Sequence, residues 1–198
     1  MNAYPFYPSR KILVLDGAWD FNFIGNAELE QLDPAEFTFH DIMCVPGAFD
    51  CSPAYYCKRG IALYRTDFTL EQNVPNALLK FGGLGLRARF WIDGREIGFT
   101  NLPCSGVEFE TGKLPAGKHT LCAALDNRFD PEKVKLFLPY YDFYAFGGFY
   151  RSVALHLLPE GCFIDRVQIR TTDYRTGKVN LRFLFRGDVP ETLAVQLK

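Results

Sequence analysis

Apolar side chains recur at every second position through most of this chain, and turn-forming residues break the pattern at short intervals. Successive side chains of a strand point to opposite faces, so a period of two marks a strand buried on one side. In Ser152-Val153-Ala154-Leu155-His156-Leu157-Leu158, residues Val153, Leu155 and Leu157 share one face while Ser152, Ala154 and His156 share the other. Lys178-Val179-Asn180-Leu181-Arg182-Phe183 separates polar from apolar more cleanly still. No segment longer than about ten residues keeps a helical period without Gly or Pro, so helices should be few and short. Residues 27–36 have room for one short turn of helix. Together with 17 Gly and 12 Pro to make turns, the pattern predicts an all-β sandwich rather than alternating helices and strands.

The turns themselves are specific. Asp93-Gly94 lies between two short strand patterns, and Asp-Gly tolerates the positive φ angles of a type I′ hairpin. Pro115-Ala116-Gly117 and Thr176-Gly177 mark two more entries into strands. Gly82-Gly83-Leu84-Gly85 lacks the lysine and following helix of a phosphate loop and reads as a turn between strands. A domain change is expected near Leu158-Pro159-Glu160-Gly161, giving domains 1–160 and 161–198. The second has room for about three strands, against about seven in an immunoglobulin sandwich. It ends on Leu193-Ala194-Val195-Gln196-Leu197 in a strand pattern, so the natural polypeptide is expected to continue.

Composition narrows the function classes. With 48% hydrophobic residues the chain can bury a core, and a net charge of -1 leaves no broad basic surface for nucleic acid. No apolar run approaches the length needed to span a bilayer, and the first residues lack the pattern of a signal peptide. The expectation is a soluble protein, cytoplasmic or periplasmic, with no membrane partner. The six cysteines form no CxxC pair. His40 with Cys44, Cys51 and Cys57 is the one grouping near a zinc pattern, and loop or buried thiols explain it better. Disulfide pairing stays open. His40, His119 and His156 adjoin no nucleophile motif, and no metal or cofactor is expected.

Four segments in series resemble the amino-terminal sugar-binding domain of glycoside hydrolase family 2, which includes β-glucuronidases and β-galactosidases. Leu15-Asp16-Gly17-Ala18-Trp19-Asp20-Phe21 resembles the opening strand, Val45-Pro46-Gly47 the following turn, and Gly60-Ile61-Ala62-Leu63-Tyr64-Arg65-Thr66-Asp67-Phe68 the Tyr-Arg strand. Phe90-Trp91-Ile92-Asp93-Gly94 is similar to the aliphatic-Trp-aliphatic-Asn-Gly hairpin, with Asp93 in place of Asn. Most specific is Tyr141-Asp142-Phe143-Tyr144-Ala145-Phe146-Gly147-Gly148-Phe149-Tyr150-Arg151-Ser152-Val153, which resembles the Asp-Phe-Phe-Asn-Tyr-Ala-Gly and Arg-Ser-Val segments of β-glucuronidases. The resemblance implies a galactose-binding-like jelly-roll β-sandwich, then the first strands of an immunoglobulin-like sandwich at Val167-Gln168-Ile169. It also implies that the catalytic glutamates belong to a TIM barrel, a missing partner domain here. No Asn in the chain precedes a Glu, so the family's Asn-Glu general acid is absent and the fragment alone should not hydrolyse a glycoside.

The same resemblance implies that Asp142 accepts hydrogen bonds from sugar hydroxyls of a β-glycoside, flanked by Tyr141 and Phe143. A carboxylate can accept two hydroxyls at once, which suits the role. The competing use of Asp142 is to cap backbone amides beside Gly147-Gly148. Tyr140, Tyr144, Phe146, Phe149 and Tyr150 make the loop dense in aromatics, for stacking on a sugar or packing on a neighbouring domain. Uncovered, such a surface would favour homo-oligomers. Arg151 reads as a structural donor, Trp19 and Trp91 as core more readily than as sugar platforms, and Asp126-Asn127 with Asp130 as turn residues rather than a cation or sugar site. An autonomous carbohydrate-binding module and a purely structural interaction domain remain the alternative functions.

Overall fold

The computed structural model describes residues 10–134 and 144–196. Among them the regular elements are antiparallel strands and short 3-10 turns. The strands are β1 (Ile12–Val14), β2 (Gly17–Gly25), β3 (Asp41–Val45), β4 (Gly47–Ala48), β5 (Ile61–Leu70), β6 (Ala77–Phe81) and β7 (Arg87–Ile92). They continue with β8 (Arg95–Thr100), β9 (Val107–Glu110), β10 (Gly117–Asp126), β11 (Gly148–Phe149), β12 (Val153–Leu157), β13 (Phe163–Asp173) and β14 (Lys178–Arg186). One sheet has the order β1-β12-β6-β9, the other β3-β2-β5-β10-β7-β8. The chain divides into two compact units, Met1–Leu157 and Leu158–Lys198.

In the first unit the two sheets face each other over an aromatic core. Phe81 of β6 stacks on Phe90 of β7 with ring centroids 4.0 Å apart, joining the sheets, and Phe149 lies 5.6 Å from Phe81 and 5.3 Å from Trp19. Alternation delivers these rings: Trp19, Phe21 and Phe23 of β2 all point inward, and so do Phe90 and Ile92 of β7. The Asp93-Gly94 hairpin forms as its residue types require, with φ of 51° and 81°.

The outer face of the six-stranded sheet departs from simple alternation. Leu63, Trp91, Cys122 and Ala124 point away from the sandwich interior yet are buried, because residues 26–39 lie across them as a strap carrying Leu29, Leu32, Phe37 and Phe39. The single helical turn expected at 27–36 is two 3-10 turns, Leu29–Gln31 and Pro34–Glu36, the second capped by the Asp33 carboxylate on the Ala35 amide. Arg89 donates to the Leu29 and Leu32 carbonyls, Arg87 pairs with Glu30 at 2.8 Å, and Arg128 donates to the Ala27 carbonyl.

The second unit holds one long hairpin, β13 paired with β14, closed by a turn in which Gly177 has φ 69°. The third strand expected at 193–197 does not form within the described residues: 187–196 contains no strand, because a strand requires a neighbour to take its backbone hydrogen bonds. His156 also departs from the expected alternation. Assigned to the polar face of its strand, it is 1% exposed, since in β12 both faces are covered.

Candidate functional site

Asp142, Tyr141 and Phe143 lie outside the described residues, as does Tyr140. The described part of the motif begins at Tyr144. From there to Ser152 the chain threads between two other segments at one margin of the sandwich. On one side β11 pairs with β4, Gly148 opposite Ala48 and Phe149 opposite Gly47, directly after the cis Val45–Pro46 bond. On the other, Gly85 donates to Gly148, Tyr150 to Gly83, and Gly82 to Ser152. The Gly82–Gly85 stretch is therefore more than a turn: it forms hydrogen bonds along this segment, with a bridge between Leu84 and Phe149. Gly148 has φ +127°, and a Cβ there would strike the Gly47 carbonyl, so only glycine fits.

Phe149 points inward and is fully buried, whereas Tyr144 and Phe146 face outward, 39% and 42% exposed, with ring centroids 4.6 Å apart. Beside them an open groove of about 390 Å³ is lined by Pro46, Gly47, Ala48, Cys51, Phe146 and Tyr150.

Beneath the segment lies a polar node. The Asp50 side chain is fully buried; its Oδ1 accepts from the Gly147 amide at 3.0 Å, and its Oδ2 from Asn127 Nδ2 at 3.1 Å. Phe49 N–H returns a bond to the Gly147 carbonyl, which ties that residue on both sides. Arg59 reaches Asp50 at 3.5 Å, donates to the Ala145 carbonyl, and lies 4.0 Å from the centroid of the Tyr144 ring. Asn127 also accepts from the Gly60 amide at 2.9 Å. Asn127 is thus a joint of the fold. Asp126, its neighbour, is buried between Arg87 (2.6 Å) and Arg128 (2.9 Å), and these guanidiniums outweigh the effect of burial to hold its carboxyl below the usual range. Both side chains are engaged within the fold, and among the described residues no group of three or more His, Cys, Asp or Glu gathers as for a metal.

Trp19 and Trp91 are both core. Trp19 donates to the Leu15 carbonyl at 2.7 Å and Trp91 packs on Phe37 under the strap. All six cysteines are free thiols. His119 pairs with Asp93 at the hairpin turn, remote in the chain from any nucleophile pattern. Asp50 and Arg59 were not singled out in the sequence. The one local hint is an acidic residue directly after the Val-Pro-Gly-Ala-Phe turn.

No family model and no curated protein matches the sequence. Solved structures do. A β-galacturonidase of glycoside hydrolase family 2 from Eisenbergiella tayi, bound to glycerol, superposes with a TM-score of 0.77 at 23% identity over 93% of this chain and 31% of its own. A β-glucuronidase from Bifidobacterium dentium complexed with coumarin-3-O-glucuronide gives 0.74 at 22% identity, over 94% of this chain and 38% of its own. The β-glucuronidase of Faecalibacterium prausnitzii gives 0.68 at 24% identity, over 84% and 34%. The fold is that of part of a family 2 glycoside hydrolase. The chain spans about a third of the length of these family 2 structures.

Proposed function

We propose that this chain is a non-catalytic sugar-binding module of a family 2 glycoside hydrolase, and that Asp142, flanked by Tyr141 and Phe143, forms one wall of the substrate pocket. The observation that carries the reading is the fold likeness across 93% of the chain to enzymes whose own lengths it covers by only about a third. The remaining two thirds of such an enzyme would hold the catalytic carboxylates in a TIM barrel. Among the likenesses are a galacturonidase bound to galacturonate and a glucuronidase complexed with a glucuronide, which favours a β-uronide over a β-galactoside as substrate. The outward Tyr144 and Phe146 rings beside the groove suit the apolar face of a sugar or its aglycone.

The test is steady-state kinetics of the whole protein on p-nitrophenyl β-D-glucuronide and β-D-galacturonide. Asp142→Ala should raise KM roughly tenfold or more, since two charge-assisted hydrogen bonds are lost. An unchanged KM and kcat would leave a purely structural module. Calorimetry of the isolated chain with glucuronate at millimolar concentration should register little heat, because half the pocket is supplied elsewhere; saturable heat would instead identify an autonomous binding module.

A further inference from the structure

We propose that Arg59, seated on Asp50, is a positioning residue for substrate: it fixes Tyr144 and Ala145, which follow Asp142 and Phe143 in the sequence. The inference rests on the sugar-contact reading of Asp142. Tyr144 follows Phe143 and Asp142 directly in sequence, so whatever holds Tyr144 limits where Asp142 can reach.

The geometry argues for holding rather than for general stability. A buried carboxylate costs several kcal/mol to desolvate, and a well-packed apolar residue in its place is often as stable. Asp50 is nevertheless fully buried, and its bonds go to the Gly147 amide, the Asn127 amide and Arg59, so that it links the adjoining ends of the paired strands β10 and β5 to the backbone just before β11. Arg59 then reaches the Ala145 carbonyl and the Tyr144 ring, neither of which belongs to a strand. Gly147 leaves no slack, because a Cβ there would overlap the Phe49 ring and crowd the Asn127 amide. The guanidinium is suited to this work: one planar group hydrogen-bonds at its edge and stacks on a ring with its face, which an ammonium cannot do.

Arg59→Lys keeps the charge beside Asp50 and removes the fork and the stacked face. In the whole protein, on p-nitrophenyl β-D-glucuronide, it should raise KM roughly five- to tenfold with kcat changed less, as expected for misplacement on the scale of an ångström. Its melting temperature should stay close to that of the parent. Tyr144→Leu, which leaves the Asp50–Arg59 pair intact, should reproduce the KM increase and guards against an unfolded Arg59 variant. Combined with Asp142→Ala, Arg59→Lys should add nothing further, since both act through one contact. If Asp142→Ala raises KM while Arg59→Lys and Tyr144→Leu leave it unchanged, the positioning role is wrong and the sugar reading stands. If the effects of Arg59→Lys and Asp142→Ala multiply, Arg59 acts elsewhere and the proposal also fails. If Asp142→Ala changes nothing, the sugar reading falls and takes this role with it.

Discussion

Two buried histidines pull the pH dependence of stability in opposite directions. His119 faces the Asp93 carboxylate through Nδ1 at 2.6 Å and the Pro115 carbonyl through Nε2 at 2.8 Å, so only the doubly protonated ring satisfies both acceptors. Burial alone would lower its pKa, yet Asp93 and Pro115 together hold it above 6.5. The native state therefore keeps a proton that the unfolded chain releases, and the associated stability is full below about pH 6.5 and lost as pH rises through the folded pKa. His156 does the reverse: burial, with Lys80 and Arg10 adding repulsion, pushes it down to about 4. Unfolding then takes up a proton between pH 6.5 and about 4, and stability falls on acidification through that window. Urea unfolding of the chain at closely spaced pH values should show a maximum near pH 6.5; His156→Leu should flatten the acid limb, by on the order of 1 to 3 kcal/mol at pH 4, and His119→Gln the alkaline one. Tyr64 gives a third expectation. Its hydroxyl is buried without a partner among the described residues, amid the Trp19, Phe21 and Phe149 rings. Because an unmet buried hydroxyl costs about 1 kcal/mol or more, Tyr64→Phe should leave the urea midpoint unchanged or raise it.

Among elements, the strap is the one whose attachment is most easily tested. Its apolar residues cover Trp91 and Cys122, but three arginines, Arg87, Arg89 and Arg128, hold its backbone and Glu30 in place. Cys122 reports on it directly: burial pushes its thiol up to about 11, so it should react with maleimide far more slowly than the exposed Cys44, Cys51, Cys57 and Cys104. Arg89→Ala removes bonds to two strap carbonyls and should speed labelling of Cys122, read by mass spectrometry, roughly tenfold through local opening. Asp126→Ala should be harsher. It leaves Arg87, 2% exposed, with Glu30 as its remaining carboxylate partner and one side of its guanidinium unmet, and should cost on the order of 1 to 3 kcal/mol in chemical denaturation. The loop segment has an equally sharp position in Gly147, where Ala would collide with Phe49; a drop of several degrees in melting temperature is the expected result.

At the scale of the whole molecule, the sheets are joined by stacked rings, and Phe81→Ala should remove about 3 to 5 kcal/mol by opening a cavity between Phe90, Phe109 and Phe149. Much of this architecture was legible in the chain itself. The two-residue period, the Asp93-Gly94 hairpin and the Thr176-Gly177 turn depend on neighbours in sequence, and each formed as its residue types demand. So did the inward course of Trp19, Phe21 and Phe23, set by strand geometry alone. What escaped was decided by contacts distant in sequence. The strap buries the outer face of a sheet that alternation alone would leave to solvent, His156 is covered on the face assigned as polar, and residues 193–196 lie outside any strand. The site divides along the same line. The aromatic, acidic motif is visible in its own residues, but the partners of Asp50, Arg59 and Asn127 beneath it are not, because a residue 86 or 97 positions away becomes a hydrogen-bond partner only after the sheets have folded. Local geometry and periodicity determine which segments are strands and which way they face. Which backbone groups those segments leave for a buried carboxylate and a guanidinium to hold depends on the completed packing.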